Sequence, residues 1–327
     1  MPRIPRLADV AEACGVSIAT ASKALSPHLD RSDLNPQTRE RILLKARELG
    51  WSRDLPRSAR ARRRWHNIGV LWGYRNFGMA SYEGVAEVLA QTVDGSYRLL
   101  LTPVPQAKDW KELQLSLRLD GALVLGHVED AILADLEHDD YPTVLVNVET
   151  TRRLRQILAD DLGGSTALMQ HLITLGHRRI VFVRNSWPVS HSSERDRLAG
   201  VLTTAAAAGV QVDEVPGLLY DQVIARCRDG ATAVVLNSHW GTGEMLDALK
   251  AAGLAVPRDV SVATCHDLSP FAHFAPPVTA VAVPVRAMAE QAGRLLMQLI
   301  AGRDDGGEQR RVLPESVVVR ASTAAVR

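Results

Sequence analysis

The first 25 residues have the apolar spacing of two short helices joined by a glycine turn. In residues 7–14 the apolar side chains recur at i, i+3, i+4 and i+7, which is one face of a helix. Gly15 ends this helix, and Ser17 is well placed to cap the next one. The second helix carries Ala21 and Ala24 on one face. The pattern predicts two small helices packed across a tight turn.

A third helix follows after a polar segment. Asn35 is a typical N-cap, and the proline behind it suits the first helical position, while Gly50 ends the pattern. Between them Ile42, Ala46 and Leu49 recur at i, i+4 and i+7, enough to pack on the first two helices. The head is therefore predicted to be an all-α three-helix unit whose second helix is free to enter a major groove, as in helix-turn-helix readers. From periodicity alone, a three-helix bundle without a ligand is an equal alternative.

Beyond residue 66 short apolar runs alternate with helical patterns. The runs include IGVLW, YRLLLTPV, GALVLG and PTVLVNV, and the rhythm restarts with RIVFVRN, a short strand near Leu218, ATAVVLN and SVATCHD. Continuous apolar strands between helices are typical of parallel sheets covered on both faces. We predict an α/β body of two doubly wound parallel-sheet lobes, with a ligand cleft between them near the carboxyl ends of the strands.

Composition is that of a water-soluble globular protein. Of the 327 residues 46% are hydrophobic and 23% charged, and no run approaches the roughly 20 apolar residues that span a bilayer. The N-terminal residues have no apolar signal core, and three cysteines stand far apart. We expect a cytoplasmic protein with no membrane partner.

The charge is unevenly distributed along the chain. Residues 1–64 carry 14 Lys and Arg against 7 Asp and Glu, a net charge of +7, whereas the remainder carries a net charge of −6. A compact basic head is expected of a protein that binds the phosphate backbone of double-stranded DNA. Basic surfaces are also often merely solvated, so charge alone does not decide.

The head resembles the DNA-binding domain of LacI-type transcriptional regulators. The resemblance is carried by RLADVAEACGVSIATASKAL and TRERILLKARELGW, which contain five short motifs in the family's order. These motifs are Asp9-Val10-Ala11, Gly15-Val16-Ser17, Thr20-Ala21-Ser22-Lys23, Thr38-Arg39-Glu40-Arg41 and Glu48-Leu49-Gly50-Trp51.

The resemblance implies which residues of the second helix meet DNA. Base edges would be read from Ile18, Ala19 and Lys23. Because the first two are apolar, Lys23 would carry most of the hydrogen bonding to bases, for example to guanine O6 and N7. The residues expected to contact phosphates are Ser17, Thr20 and Ser22.

An arginine-rich linker occupies residues 52–66. A disordered basic tether, a membrane-surface patch and a segment that folds only on DNA are three possible interpretations, and the lack of bulky apolar residues argues against the membrane. The family resemblance implies a hinge helix in the minor groove. Arg60 stands where the family has an intercalating leucine. We hypothesise instead that Arg57 and Arg60 bind a narrowed minor groove electrostatically.

The body resembles a LacI-type effector domain, whose fold is like that of periplasmic binding proteins. The landmarks are residues 142–147, 175–180, 195–200, 259–262 and 277–281. In this fold the chain crosses between the lobes three times. The domains expected are a head at 1–51, a linker at 52–66, and a body at 67–327. Within the body the first lobe is expected at about 67–156 and 284–311, and the second at about 157–283 and 312–327.

The resemblance also implies candidates for the effector cleft. Arg197 stands at the family's effector-binding arginine and Asn237 at a cleft asparagine, while Asn147 and His266 replace aspartates of many relatives. Asn and His offer sugar hydroxyls mixed or neutral partners, so the resemblance implies a small-molecule effector such as a carbohydrate without defining which one. Tyr74, just after the first strand of the body, could stack on a ligand or only pack within its lobe.

Other classes of function are disfavoured by missing motifs. The sequence has no Gly-x-Ser-x-Gly elbow, no phosphate-binding Gly-Lys-Ser/Thr loop and no metal-ligand spacing, so we expect no enzyme, no cofactor and no metal. The resemblance implies a homodimer on a palindromic operator, most often as a repressor. A DNA-binding regulator whose sensor domain has lost its ligand is the main alternative.

Overall fold

A computed structural model describes residues 7–25, 35–49, 65–72, 95–103, 110, 113, 116–126, 128–185, 192–303 and 307–326. The chain divides into two compact units, Met1–Trp65 and His66–Arg327, which we call the head and the body. Between the first two apolar runs of the body the sequence predicts a helix at YEGVAEVLAQ, and this segment lies outside the described residues.

The head contains three helices, α1 (Leu7–Ala13), α2 (Ile18–Ala24) and α3 (Pro36–Glu48). The Asn35 side chain caps α3 by accepting a hydrogen bond from the backbone N–H of Gln37 at 2.9 Å. Ile42 and Ala46 are buried, as predicted, but Leu49 is 36% exposed because α3 ends one residue before it. The small core of this unit consists of Val10, Ala11, Cys14, Ala21, Ala24, Ile42 and Ala46.

The body contains two six-stranded sheets. In the first, the strand order is β11-β5-β4-β3-β1-β2 and every neighbouring pair is parallel. Its strands are β1 (Asn67–Trp72), β2 (Arg98–Pro103), β3 (Gly121–Leu125), β4 (Thr143–Val146), β5 (Arg155–Ala159) and β11 (Arg310–Leu313). Strand β3 is buried along its whole length, because helices cover both faces of a parallel sheet.

The second sheet has the order β12-β10-β9-β8-β6-β7, and only β10 and β12 pair antiparallel. Its strands are β6 (Arg179–Arg184), β7 (Gln211–Pro216), β8 (Ala233–Leu236), β9 (Ser261–Thr264), β10 (Thr279–Ala282) and β12 (Ser316–Val318). The strand expected near Leu218 is β7, which ends before it, because Gly217 turns the chain with φ +71°.

Helices pack on both sheets. Those described in the body are α4 (Asp130–His138), α5 (Asp161–Thr174), α6 (Ser192–Ala207), α7 (Tyr220–Arg228), α8 (Thr242–Ala251) and α9 (Val285–Ile300), with a 3-10 helix at Ser269–His273. Helix α9 returns to the first sheet, where Met288, Ala292 and Leu296 join its core. Among the described residues, no helix combines the length and apolarity needed to cross a bilayer.

The chain passes three times between the two sheets. The passages follow β5, β10 and β11, and we call them the first, second and third crossings. Strands β5 and β11 extend to Ala159 and Leu313, two or three residues beyond the lobe boundaries expected from the sequence. These strands pair with each other over Arg310–Leu313 and Gln156–Ala159. The first sheet therefore extends to the points where the first and third crossings begin.

Candidate functional site

The start of α2 is fixed by a side-chain cap. Ser17 has extended backbone angles, φ −68° and ψ 153°, and its Oγ accepts a hydrogen bond from the backbone N–H of Thr20 at 3.0 Å. The two hydroxyls also lie 2.8 Å apart. A Ser at this position satisfies one of the N–H groups that a helix start leaves without a partner. The cap sets the direction of the helix that the sequence predicts as the DNA reader.

The predicted DNA-reading residues lie on the solvent side of α2. Ile18 is 55% exposed, and Ala19 and Lys23 are also exposed, while Thr20 and Ser22 are half-buried. Exposed apolar side chains on a helix that buries Ala21 and Ala24 are consistent with a surface for thymine methyl groups. The assignment of these residues to DNA stays a prediction, and Arg57 and Arg60 lie outside the described residues.

Arg197 on α6 forms a buried ion pair with Asp161, the first residue of α5. The Asp161 carboxylate accepts from Nε at 2.7 Å and from Nη2 at 2.6 Å, and the two side chains are only 7% and 5% exposed. Burial disfavours the charged guanidinium, but the surrounding acidic groups, Asp161 first among them, together outweigh this and raise the pKa of Arg197. The predicted effector arginine is therefore held rigidly by a residue that sequence reasoning missed.

Asn237 follows β8 and is the second predicted cleft residue. It is buried, and its backbone carbonyl accepts a hydrogen bond from Nη1 of Arg197 at 3.0 Å. Its side-chain Oδ1 accepts no hydrogen bond from any described residue. Buried polar atoms normally have a partner. An orphaned amide oxygen beside Arg197 is the feature expected of a site that a polar ligand completes.

His266 follows β9 and stacks edge-on against His239, with ring centroids 4.9 Å apart and an interplanar angle of 86°. The ring centroid of Trp240 also lies 4.9 Å from that of His239, with the two planes tilted by 34°. Burial and the nearby charge of Arg197 lower the pKa of His239 to about 4 and hold that of His266 well below its ordinary value. Both imidazoles are therefore neutral near pH 7, so each can act as donor and acceptor.

Asn147 lies in the first lobe, immediately after β4. Its φ is +55°, a left-handed conformation that Asn tolerates better than most residues. Its Oδ1 accepts a hydrogen bond from the backbone N–H of Ala159 at 3.3 Å, and its own N–H donates to Ile157 at 2.8 Å. These bonds tie it to β5, whereas Arg197 and Asn237 contact each other directly. Tyr74 lies outside the described residues.

A cavity of about 320 Å³ opens beside Asn237 in the second lobe. Two of its lining residues are hydrogen-bonded, since Asn185 Nδ2 donates to Glu194 at 2.9 Å, and behind them Ser238 Oγ donates to Asn185 Oδ1 at 3.0 Å. Arg195 also lines this cavity. The volume lies in the range of small-molecule sites, and sequence reasoning did not single out Asn185 or Glu194.

A salt bridge joins the two lobes at the surface. Arg195 on α6 of the second lobe lies 2.8 Å from Glu149, which follows β4 in the first lobe. The same carboxylate lies 3.2 Å from Arg310 on β11. These groups are largely solvent-exposed, so the contact is weak and sensitive to salt. The contact therefore adds little to the association of the lobes.

In the described ranges no group of three or more His, Cys, Asp or Glu side chains is placed to hold a metal ion. The free cysteines there, Cys14, Cys227 and Cys265, are buried. The second lobe thus contains a fixed guanidinium on α6, an orphaned amide oxygen after β8 and two neutral imidazoles after β8 and β9.

Comparison with known proteins agrees with this architecture. Residues 169–323 match the family of periplasmic binding protein-like domains. An HTH-type transcriptional regulator in the aml 5′ region of Streptomyces limosus is 31% identical over 99% of this chain and 95% of that protein. The HTH-type transcriptional regulator CelR of Thermobifida fusca is 28% identical over 98% of both. A solved CelR–cellobiose complex superposes with a TM-score of 0.68 at 25% identity, covering 97% of this chain and 99% of that one.

A helical head with an exposed second helix and a two-lobed body define the class as helix-turn-helix transcriptional regulators with a periplasmic-binding-protein-like sensor domain. The chain belongs to the LacI-type family of these regulators. Its named relatives are regulators of transcription rather than enzymes.

Proposed function

We propose that this regulator binds a neutral, hydroxyl-rich small molecule, a sugar or a related metabolite, between the lobes, and that this binding changes its affinity for operator DNA. The observation that carries the proposal is the orphaned side-chain Oδ1 of buried Asn237, the residue whose backbone carbonyl accepts a hydrogen bond from Arg197. CelR has been solved with cellobiose and another LacI-family regulator with ribose, which supports a carbohydrate.

The chemistry of the described site suits hydroxyl groups. Asn237 and Glu194 supply acceptor oxygens, and His266 and Arg197 supply donors, so a polyol could be bound through paired hydrogen bonds. Asp161 already balances the charge of Arg197, so the site has little net attraction for an anion. Tyr74 and Asn147 are proposed to complete it from the first lobe.

On the DNA side, the chain acts in this proposal as a cytoplasmic homodimer with no catalytic step. Two copies of α2 would enter successive major grooves of a palindromic operator, with Lys23 reading bases and Ser17, Thr20 and Ser22 contacting phosphates. The head would span residues 1–51 and the linker residues 52–66, where Arg57 and Arg60 meet the minor groove. Effector binding would shift the population of lobe arrangements and thereby the placement of the heads.

A sugar screen tests the effector side. Neutral mono- and disaccharides, cellobiose and ribose among them, and their sugar-acid counterparts are added to the full-length protein, and binding is measured by calorimetry. We expect at least one neutral sugar to bind, and Arg197→Gln to weaken it at least about tenfold, the loss of one charged hydrogen bond. Arg179→Gln, which breaks the ion pairs with Asp213 and Asp229 and a hydrogen bond to the Asp229 carbonyl, is the control on another face and should bind normally.

The outcomes separate two kinds of regulator. If no carbohydrate of either charge class binds while the protein still binds its operator, the sensor has lost its ligand and the effector proposal is wrong. If only sugar acids bind, the neutral class is wrong, and the charge balance of Asp161 and Arg197 does not set specificity.

A further inference from the structure

Glu315 lies where the three crossings between the lobes come together. It belongs to the third crossing, between β11 and β12. In the first crossing, the backbone N–H of Asp160 donates to the carbonyl of Leu313 at 2.9 Å. Strand β12 pairs with β10, which leads into the second crossing. Glu315 therefore lies in the third crossing, next to the first, and one residue before the register pair Ser316–Ala282 that precedes the second.

The Glu315 side chain is packed tightly against the first turn of α5. A Cβ placed on Gly164 would lie 2.9 Å from Cβ of Glu315 and 2.8 Å from Cγ1 of Val281, and it would also collide with Oε2 of Glu315. Only glycine fits at position 164 for this reason. The carboxyl group is therefore confined between α5 and β10.

Both carboxyl oxygens of Glu315 are buried and accept no hydrogen bond from any described residue. A buried carboxylate without hydrogen bonds is costly, because it loses its hydration and gains nothing in exchange. The neutral acid tolerates such surroundings far better. The packing thus selects the protonated form.

The charged and titratable groups that face Glu315 come from three other elements. Asp160 and Asp161 lie at the start of α5, Arg197 lies on α6, and Cys265 follows β9. Burial raises the pKa of Glu315 to about 8, with Asp161 adding to the rise and Arg197 opposing it. Burial also raises the pKa of the Cys265 thiol to about 12, so that neighbour stays neutral. Glu315 is the group of this set that changes charge just above neutral pH.

Glu315 also interacts electrostatically with Arg197, the residue expected to bind the effector. A guanidinium has five N–H donors. In this structure Nε and Nη2 donate to Asp161 and Nη1 donates to the carbonyl of Asn237, which leaves two donors for a ligand. An ionised Glu315 would be a second buried anion near the same cation, and it would compete for those two donors.

We propose that Glu315 is a titratable positioning residue for Arg197. When Glu315 is protonated it does not attract the guanidinium of Arg197, which then binds Asp161, Asn237 and the effector. When it releases that proton to solvent, the carboxylate draws the guanidinium toward the crossings and lowers effector affinity. The inference rests on the proposed function in one respect, the role of Arg197 in binding.

An effector-free titration tests the coupling itself. The full-length protein is labelled with ¹⁵N at arginine Nε, and the Arg197 signal, assigned by its loss in Arg197→Lys, is followed from pH 6 to 9.5. We expect this signal to shift with a single midpoint near pH 8 in the native protein. In Glu315→Gln, which keeps the shape of the neutral acid, the shift should be lost while the Asp161 pairing remains.

Two controls make the result decisive. Glu315→Leu removes the polar group altogether and should also abolish the shift, which covers the case in which the Gln variant fails to fold. Glu290→Gln, on the exposed face of α9, should titrate like the native protein. The proposal is overturned if the Arg197 signal does not shift with pH in the native protein. It is also overturned if the signal shifts in both Glu315 variants as much as it does in the native protein. Neither result depends on whether a sugar binds, so the proposed function is judged separately.

Discussion

Removal of the Asp161 carboxylate should destabilise the body far more than removal of a matched surface carboxylate. Asp161 and Asp130 are each the first residue of a helix and each pairs with an arginine. The Asp161 and Arg197 side chains are 5% and 7% exposed, whereas Asp130 is 75% exposed. Because both aspartates have the same position in the helix dipole, their comparison isolates burial.

The magnitudes follow from this difference in burial. Asp161→Ala leaves a buried guanidinium without its counter-charge, a change that typically costs about 3–5 kcal/mol. Asp130→Ala removes a pair that water already screens and should cost under about 1.5 kcal/mol, the helix-dipole contribution included. The expected difference is therefore at least about 2 kcal/mol in the free energy of unfolding.

Urea denaturation followed by far-ultraviolet circular dichroism at fixed salt and pH 7 measures both variants. A double change, Asp161→Leu with Arg197→Met, provides a further check, since replacing a whole buried pair by apolar side chains is often neutral. We expect the double variant to recover most of the stability lost by Asp161→Ala. If Asp161→Ala and Asp130→Ala differ by less than about 1 kcal/mol, the ion pair is solvated and our description of the effector site is wrong.

Four further predictions concern other parts of the chain. In the head, Lys23→Ala should lower operator affinity about 10- to 100-fold in fluorescence anisotropy and relax base preference, because Lys23 is predicted to donate to a base edge; Lys45→Ala should change affinity by under about twofold. For Glu315, whose ordinary pKa of 4.5 is raised to about 8 on folding, the folded state keeps a proton that the unfolded state releases, so stability should fall as pH rises from about 4.5 to 8. Glu315→Gln should make that slope less negative by about 1.4 kcal/mol per pH unit in urea titrations, and an unchanged slope would contradict the assignment. For His239, the lowered pKa of about 4 works in the opposite direction: stability should fall as pH drops from 6.5 toward 4, and His239→Gln should remove this acid sensitivity. Where the lobes meet, Glu149→Gln removes the exposed salt bridge to Arg195. Backbone amide hydrogen exchange in the segments that face the other lobe should then be about two- to fivefold faster at low salt, and the effect should vanish at about 0.5 M salt.

Much of the architecture was predictable because each element has a local signal. The helices of the head follow from Ser17 as a cap and from Ile42 and Ala46 as buried positions. The buried strands of the body are continuous apolar runs, and β3, β4, β8 and β9 lie where those runs stand. Strand β5 was missed, since RQILA begins with two polar residues and is short.

The candidate site was less accessible from the sequence, because its chemistry depends on contacts between distant segments. Asp161 and Arg197 lie on two different helices and are 36 positions apart in the chain. Neither residue type indicates by itself that it has a buried partner. Glu315 reads as an ordinary surface glutamate after a proline, and only its packing against Gly164 shows that its carboxyl group is enclosed. Family resemblance pointed to Arg197 and Asn237, but no local pattern carries the information that Asn147 is hydrogen-bonded to β5.

The central claim, a regulator that reads specific DNA through its head, is tested most directly by selecting genomic fragments with the purified full-length protein at fixed salt, in competition with excess random DNA. Our account predicts that the retained fragments share a palindromic motif with two half-sites about one helical turn apart, and that Lys23→Ala loses this selection. Retention that depends only on salt and shows no common motif would contradict it, since phosphate contacts alone produce sequence-blind, salt-sensitive binding.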